Sequence, residues 1–579
     1  MNIVIEKNVM VAMRDGVHLA ADVYRPVEEG QHPVLLMRLP YNKDLPGRLA
    51  AFVSTAFRAA QQGYVVVLQD CRGRFASEGE FYPQFDDAND GVDTIHWIVE
   101  QPWANGKVGM IGGSYLGFTQ WLLAKEHPEA LRAIAPQVTT SNYYQTPMRH
   151  EGGVFELGCA FFWSLSMVPE EVQRRLRQGR ASQEQMGAFM HAMGDPEALL
   201  SHLPLVDQPL LREFAPFYLD WLNHPTYDEY WKRIAHSEFY EQMTVPAFNM
   251  GGWYDLFLGG TLANYTGMKQ RGGSALARAH QRLVIGPWSH INSTGVFPER
   301  SYGLMASSEA IDLEGMQLRW HDHWLKGEEN GVEQDKPVKI FVMGLDQWRD
   351  EDDWPLPDTQ YRPYYLHSGG HANSAASDGT LSTEAPADEP EDVYLYDPRH
   401  PVSTTGGAIL IGLGPVEGPR DQHAVEARED VLCYSTPVLE KPVEVTGPIA
   451  LVLYVSSSAR DTDFTGKLVD VYPDGRAEIL TDGILRARYR ESFTEPKLLS
   501  PGQIYELRLD LWATSNLFKA GHRIRLEVSS SNFPRFDRNT NTGGTIEKET
   551  EKDFVQAVNR IYHDAAHPSH LILPIIERD

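Results

Sequence analysis

Cysteine is scarce: Cys71, Cys159 and Cys433 are the only three in 579 residues, and their spacing suggests no pairing. That excludes a disulfide framework and fits a reducing, cytoplasmic compartment. Positive charge is also short, with 52 Lys and Arg against 79 Asp and Glu, a formal net charge of −27. So acidic a surface repels phosphate backbones and anionic headgroups, so neither nucleic acid nor a membrane is an expected partner. No apolar run approaches the roughly 18 residues of a membrane helix. The opening stretch Ile3-Val4-Ile5-Glu6-Lys7 lacks the apolar core of a secretory signal. There is no repeat at solenoid spacing and no phosphate-binding Gly-Lys-Ser/Thr loop.

Apolar and aromatic residues are plentiful. Hydrophobic residues make up 42%, with 13 Trp, 25 Tyr and 23 Phe, which excludes a predominantly disordered chain. At about 150 residues per domain, the length predicts two to four domains.

The first residues read as strands around the turn pair Asp15-Gly16. From Pro33 the rhythm changes. Short apolar runs (Val34 to Met37, Tyr64 to Leu68, Val108 to Ile111) alternate with helical patterns at Leu49 to Ala60, Asp90 to Val99 and after Tyr115. That alternation predicts a parallel sheet covered on both faces. It stops near Gln137 and resumes near Val245. Between them lie the helix-like segments Glu170 to Arg177, Glu184 to Met193 and Tyr227 to Ile234, an insertion that reads as a lid over an active site, with structural padding as the alternative. The acidic, Ser/Ala-rich stretch from Gly369 to Asp392 reads as a boundary or a long solvated loop. Beyond it short alternating strands such as Glu506 to Leu511 and Arg523 to Val528 predict a β sandwich or jelly roll. The expected class is therefore α/β: a hydrolase-type domain in two parts, 1–141 and 242–357, a helical cap at 142–241, and a β jelly roll at 358–579.

The sharpest chemical signal is Gly112-Gly113-Ser114-Tyr115-Leu116-Gly117, between a strand and a helix. A nucleophile elbow needs that context, because the sharp turn lifts the serine oxygen above the sheet and small flanking residues let the backbone fold tightly. Serine is nucleophilic only if a base takes its proton, and the imidazole needs a carboxylate to fix its tautomer. Two later strand ends supply them in the required chain order, at Gly252-Trp253-Tyr254-Asp255 and Gly286-Pro287-Trp288-Ser289-His290.

With these motifs, Asp70-Cys71-Arg72-Gly73-Arg74, Ser77-Glu78-Gly79 and Arg319-Trp320-His321-Asp322-His323-Trp324-Leu325-Lys326-Gly327, the sequence resembles the cocaine esterase family over essentially its whole length. That group of serine hydrolases also includes α-amino-acid ester hydrolases, certain cephalosporin acylases and X-prolyl dipeptidyl aminopeptidases. The resemblance implies an α/β-hydrolase domain with an inserted helical cap and a C-terminal jelly roll. It also implies Ser114 as nucleophile, His290 as base and Asp255 as its partner. An oxyanion hole would consist of the Tyr41 hydroxyl and the Tyr115 backbone N–H. Phe162, Trp163, Phe257, Leu410 and Ile411 match positions that wall the family's acyl pocket.

Acyl transfer needs no cofactor, and no metal is expected. Asp461-Thr462-Asp463-Phe464-Thr465-Gly466 opens like a calcium loop but has Tyr472 where the bidentate Glu belongs. The expected activity is hydrolysis of small carboxylic esters through an acyl-enzyme. Amino-ester hydrolase or X-prolyl peptidase activity is one alternative, and a non-catalytic jelly-roll binding protein another. The expected partner is a small-molecule ester, with a homodimer left open.

Overall fold

The computed structural model describes residues 2–44, 50–412 and 416–578. Its first sheet opens on a hairpin of β1 (Ile3–Ala12) and β2 (His18–Pro26), with Gly16 at a φ of 86° in the turn. The short apolar runs form β3 (His32–Leu39), β4 (Val65–Asp70), β5 (Ala104–Gly113), β6 (Leu131–Gln137), β7 (Ala247–Tyr254) and β8 (Gln281–Ser289). β9 (Val338–Val342) and β10 (Gln347–Glu351) complete the order β1-β2-β4-β3-β5-β6-β7-β8-β9-β10.

All neighbours from β4 to β9 in that order run parallel. Parallel neighbours need crossovers, and α1 (Ala50–Gln61), α2 (Asp87–Val99) and α3 (Tyr115–Ala124) supply the first three. Leu49, the expected start of the first helix, lies outside the described residues.

Side chains alternate across a strand, so β3 feeds two cores. Val34 and Leu36 pack with Ile95 and Trp121 on one face, and Leu35 and Met37 with Tyr64 and Trp320 on the other. Both faces are dry, which is why these strands read as unbroken apolar runs.

Between β6 and β7 the chain leaves the sheet and builds helices over its edge. The longest is α4 (Leu157–Arg177), followed by Gln183–Ala192. The expected helix at Tyr227 to Ile234 shrinks to Glu229–Lys232, because Asp228 caps the Tyr230 N–H and Ala235, at φ −82° and ψ 88°, has left the helical conformation. The inserted helices share a core with Phe118 of α3 and with Ile409 and Ile411 from further along the chain.

The second sheet has eleven strands among the described residues, from Gln360–His367 to His570–Ile576, and wraps as a β-rich C-terminal unit. Its pairings are antiparallel apart from one parallel contact, Thr380 with Ser435. The Gly369 to Asp392 stretch is a connection inside this sheet and not a boundary. It leaves the Gln360–His367 strand, adds the short strand Thr380–Ser382, and reaches Asp392–Tyr396.

Two buried ion pairs tie the inserted helices to this C-terminal unit. Arg149 Nη1 donates to Glu547 at 3.0 Å, and Arg535 Nε donates to Glu156 at 2.9 Å. Among the described residues no helix is long and apolar enough to cross a membrane.

Candidate active site

β5 ends at Gly113 and α3 begins at Tyr115, so Ser114 makes the whole turn. Its backbone sits at φ 59° and ψ −124°, a strained conformation for a residue with a Cβ. The neighbours must be small for that turn to close. A Cβ on Gly112 would lie 2.7 Å from Leu116 Cβ, and one on Gly117 would lie 2.8 Å from Thr139 Cβ. The Ser114 N–H donates to the Gln137 carbonyl at 2.9 Å, pinning the turn to β6.

Asp255 follows β7 and His290 follows β8, so both stand at the same sheet edge as Ser114. His290 Nε2 is 3.0 Å from Ser114 Oγ, and His290 Nδ1 is 2.9 Å from Asp255 Oδ1. Asp255 is fully buried; its Oδ1 also accepts the Phe257 N–H at 3.2 Å, while Oδ2 has no partner among the described residues. The Phe257 ring meets the imidazole edge to face, with centroids 5.1 Å apart. This chain of contacts can carry a proton from the serine to the imidazole while the carboxylate holds the ring's tautomer.

Tyr41, just past β3, reaches the same point. Its hydroxyl accepts from Trp163 Nε1 at 3.0 Å and lies against Ser114. Burial pushes the phenol up to about 12, so it stays a proton donor at working pH. The N–H groups of the first helical turn have no intrahelical acceptor, and that of Tyr115 opens α3 directly beside the serine.

These groups border a cavity of about 30 Å³. Trp163, Phe257 and Leu410 contribute to its wall. Phe162 and Ile411 do not line it. Successive helix residues point about 100° apart, so Phe162 turns away from Trp163 and packs on Gly412, where a Cβ would lie 2.1 Å from its ring. Ile411 is 5% exposed and sits against Gly158 in the core shared with the inserted helices.

Sequence reasoning missed the layer behind Tyr41 and Tyr115. The Tyr115 hydroxyl donates to Asp87 Oδ2 at 2.6 Å and accepts the Gln84 N–H at 2.9 Å. Its ring stacks on Trp163, with planes 5° apart. Asp87 is buried beside Arg38, and desolvation raises its carboxyl above the ordinary range despite that cation. A tyrosine following the elbow serine was visible in sequence, but nothing local pointed its hydroxyl at residue 87. The carboxylates of the calcium-loop look-alike are occupied: Asp461 accepts from Arg488 at 2.8 Å and Asp463 from Arg486 at 2.9 Å.

A serine on a strand-to-helix elbow, a histidine and a buried aspartate in that chain order at the edge of a mostly parallel sheet define the molecule as a serine hydrolase of α/β-hydrolase fold. Comparison narrows the class. Residues 15–292 match the X-Pro dipeptidyl-peptidase (S15 family) model, and residues 330–572 match the X-Pro dipeptidyl-peptidase C-terminal non-catalytic domain. A cocaine esterase of Rhodococcus sp. (strain MB1 Bresler) is 45% identical over 581 residues, covering 100% of this chain and 99% of that one. The chain belongs to this family, which joins the S15 peptidases with cocaine esterase.

Solved structures agree. An aminopeptidase from a marine sediment Thaumarchaeota archaeon aligns with a TM-score of 0.82 at 25% identity, covering 100% of this chain and 97% of that one. An α-amino acid ester hydrolase aligns at 0.79 and 26%, covering 99% and 97%.

Proposed function

We propose that the chain hydrolyses small carboxylic esters with an aromatic or compact apolar acyl group. Ser114 attacks the ester carbonyl while His290 takes its proton and Asp255 steadies the imidazolium. The Tyr41 hydroxyl and the Tyr115 N–H meet the developing oxyanion. His290 then returns its proton to the leaving alcohol, and water repeats the cycle on the acyl-enzyme. The single observation carrying this reading is the continuous Asp255–His290–Ser114 contact chain at 2.9 and 3.0 Å.

The cavity supports the ester reading over the amino-ester or peptidase one. A substrate ammonium needs carboxylates around it, and no carboxylate borders the cavity among the described residues. Glu171, the obvious candidate in the inserted helices, is taken up by Arg174 and Arg175, and Glu170 by Arg177. The cavity is small as the side chains stand, so an aryl acyl group widens it on binding.

In this reading residues 1–141 and 242–357 form the catalytic domain, 142–241 its cap and 358–579 the jelly roll. Strong acidity and three free, buried cysteines support a cytoplasmic protein without nucleic-acid or membrane partners. A homodimer remains compatible with it. The test is a panel of p-nitrophenyl benzoate, acetate and aminoacyl esters with fluorophosphonate labelling. Ser114→Ala should lose both hydrolysis and labelling while unfolding near the wild-type temperature. Retained labelling at another serine would overturn the assignment.

A further inference from the structure

Several buried polar side chains line the cavity beside the aromatic ones, and among them the Gln84 amide is left without partners. Gln84 is 2% exposed, and neither Oε1 nor Nε2 makes a hydrogen bond of sound geometry among the described residues. A primary amide has two donors and two acceptor lone pairs, and leaving them unmet in a dry site is unfavourable. The Tyr143 hydroxyl is a polar neighbour of this amide, but one hydroxyl leaves most of that capacity unused.

The loop carrying Gln84 is held firmly. Its φ of 70° is in the left-handed region, uncommon for a glutamine. Its N–H is fixed on the Tyr115 hydroxyl, which is fixed in turn on Asp87. Tyr143 adjoins Gln84, and its ring lies 5.4 Å from that of Phe118, which also lines the cavity. The amide is therefore a fixed part of the cavity wall, set among aromatic side chains.

We propose that Gln84, seconded by Tyr143, is a specificity-determining residue that recognises a hydroxyl on the substrate's acyl group. The preferred substrates are then hydroxyaryl esters, such as hydroxybenzoates, over wholly apolar ones. This rests on the ester-hydrolase reading above. The physical basis is an asymmetry: an apolar pocket discriminates weakly against an added hydroxyl, whereas a site with a waiting hydrogen-bonding group rejects the analogue that lacks its partner.

The experiment compares kcat/KM for p-nitrophenyl benzoate with that for the 3- and 4-hydroxybenzoates, each divided by its uncatalysed rate. The wild type should favour the better hydroxybenzoate by about tenfold, the worth of one well-made hydrogen bond. Gln84→Met, similar in length, should erase most of that ratio. Tyr143→Phe should reduce it less, and gives a second reading should the first variant fold poorly. An equal ratio in wild type and both variants, or a wild type indifferent to the hydroxyl, overturns the proposal while leaving the ester reading intact. No turnover of any ester, with no labelling of Ser114, overturns both.

Discussion

Replacing Tyr41 by Phe removes one oxygen from the site, and the geometry says what goes with it. The hydroxyl accepts from Trp163 and lies against Ser114, where an attacked carbonyl would place its oxygen. A donor aimed at a developing oxyanion is worth about 100- to 1,000-fold in kcat, about 2.7–4 kcal/mol. The ground-state carbonyl carries little of that charge, so KM should change far less than kcat. Single-turnover acylation of a p-nitrophenyl ester, with enzyme in excess, measures the step directly.

A pH series adds a second reading. With the phenol pushed up to about 12, the wild type should not lose acylation rate to Tyr41 ionisation between about pH 8 and 11. The Phe variant should therefore be slower by the same factor across that range. It also strands the Trp163 indole N–H, at about 1 kcal/mol of stability, so a thermal scan must accompany the kinetics. An unchanged acylation rate would refute the oxyanion role and leave Tyr41 as a packing residue.

Two further outcomes are expected. Asp255→Asn should keep the fold and lower kcat by about 10,000-fold, because the amide favours the wrong imidazole tautomer; near wild-type turnover would remove Asp255 from the triad. Burial raises the Glu151 carboxyl from 4.5 to about 8, so between those values the folded chain holds a proton that the unfolded chain has lost. Its contribution to stability therefore falls as pH rises through that window. Glu151→Gln, which keeps an acceptor for the Trp512 indole N–H now bonded at 2.6 Å, should gain on the wild type in urea midpoint from pH 5 to pH 9. Parallel profiles would show that Glu151 does not titrate there.

The candidate constellation of Ser114, His290 and Asp255 was legible because its signals are local. An elbow declares itself by small residues between a strand and a helix, and the partners of Ser114 sit at ends of strands that are themselves plain apolar runs. Walls of a cavity are different. Gln84 belongs to a loop whose direction depends on a left-handed backbone and on a tyrosine hydroxyl thirty-one residues away. Phe162 and Trp163 are adjacent in sequence, yet helix rotation sends one to the cavity and the other to Gly412. The segment at Tyr227 to Ile234 had helical composition, but the Asp228 cap and the non-helical Ala235 confine it to a single turn. The same limit hides the stretch after Gly369, where polar composition looks like a boundary although the strand before it already belongs to the second sheet.

The ion pairs joining the inserted helices to the C-terminal unit impose an order on synthesis. Arg149 and Glu547 are 398 residues apart, and Glu156 and Arg535 are 379 apart. At about 5–20 residues per second, a ribosome needs roughly 20–80 s to make the distance between the first pair. Ser114, Asp255 and His290 have all been made well before Arg535 and Glu547 leave the ribosome. For that interval the inserted helices carry an arginine and a glutamate whose buried partners do not yet exist. The Ser114–His290–Asp255 trio is thus complete by the middle of the chain, while the contacts that seat the helices above it are among the last to be written.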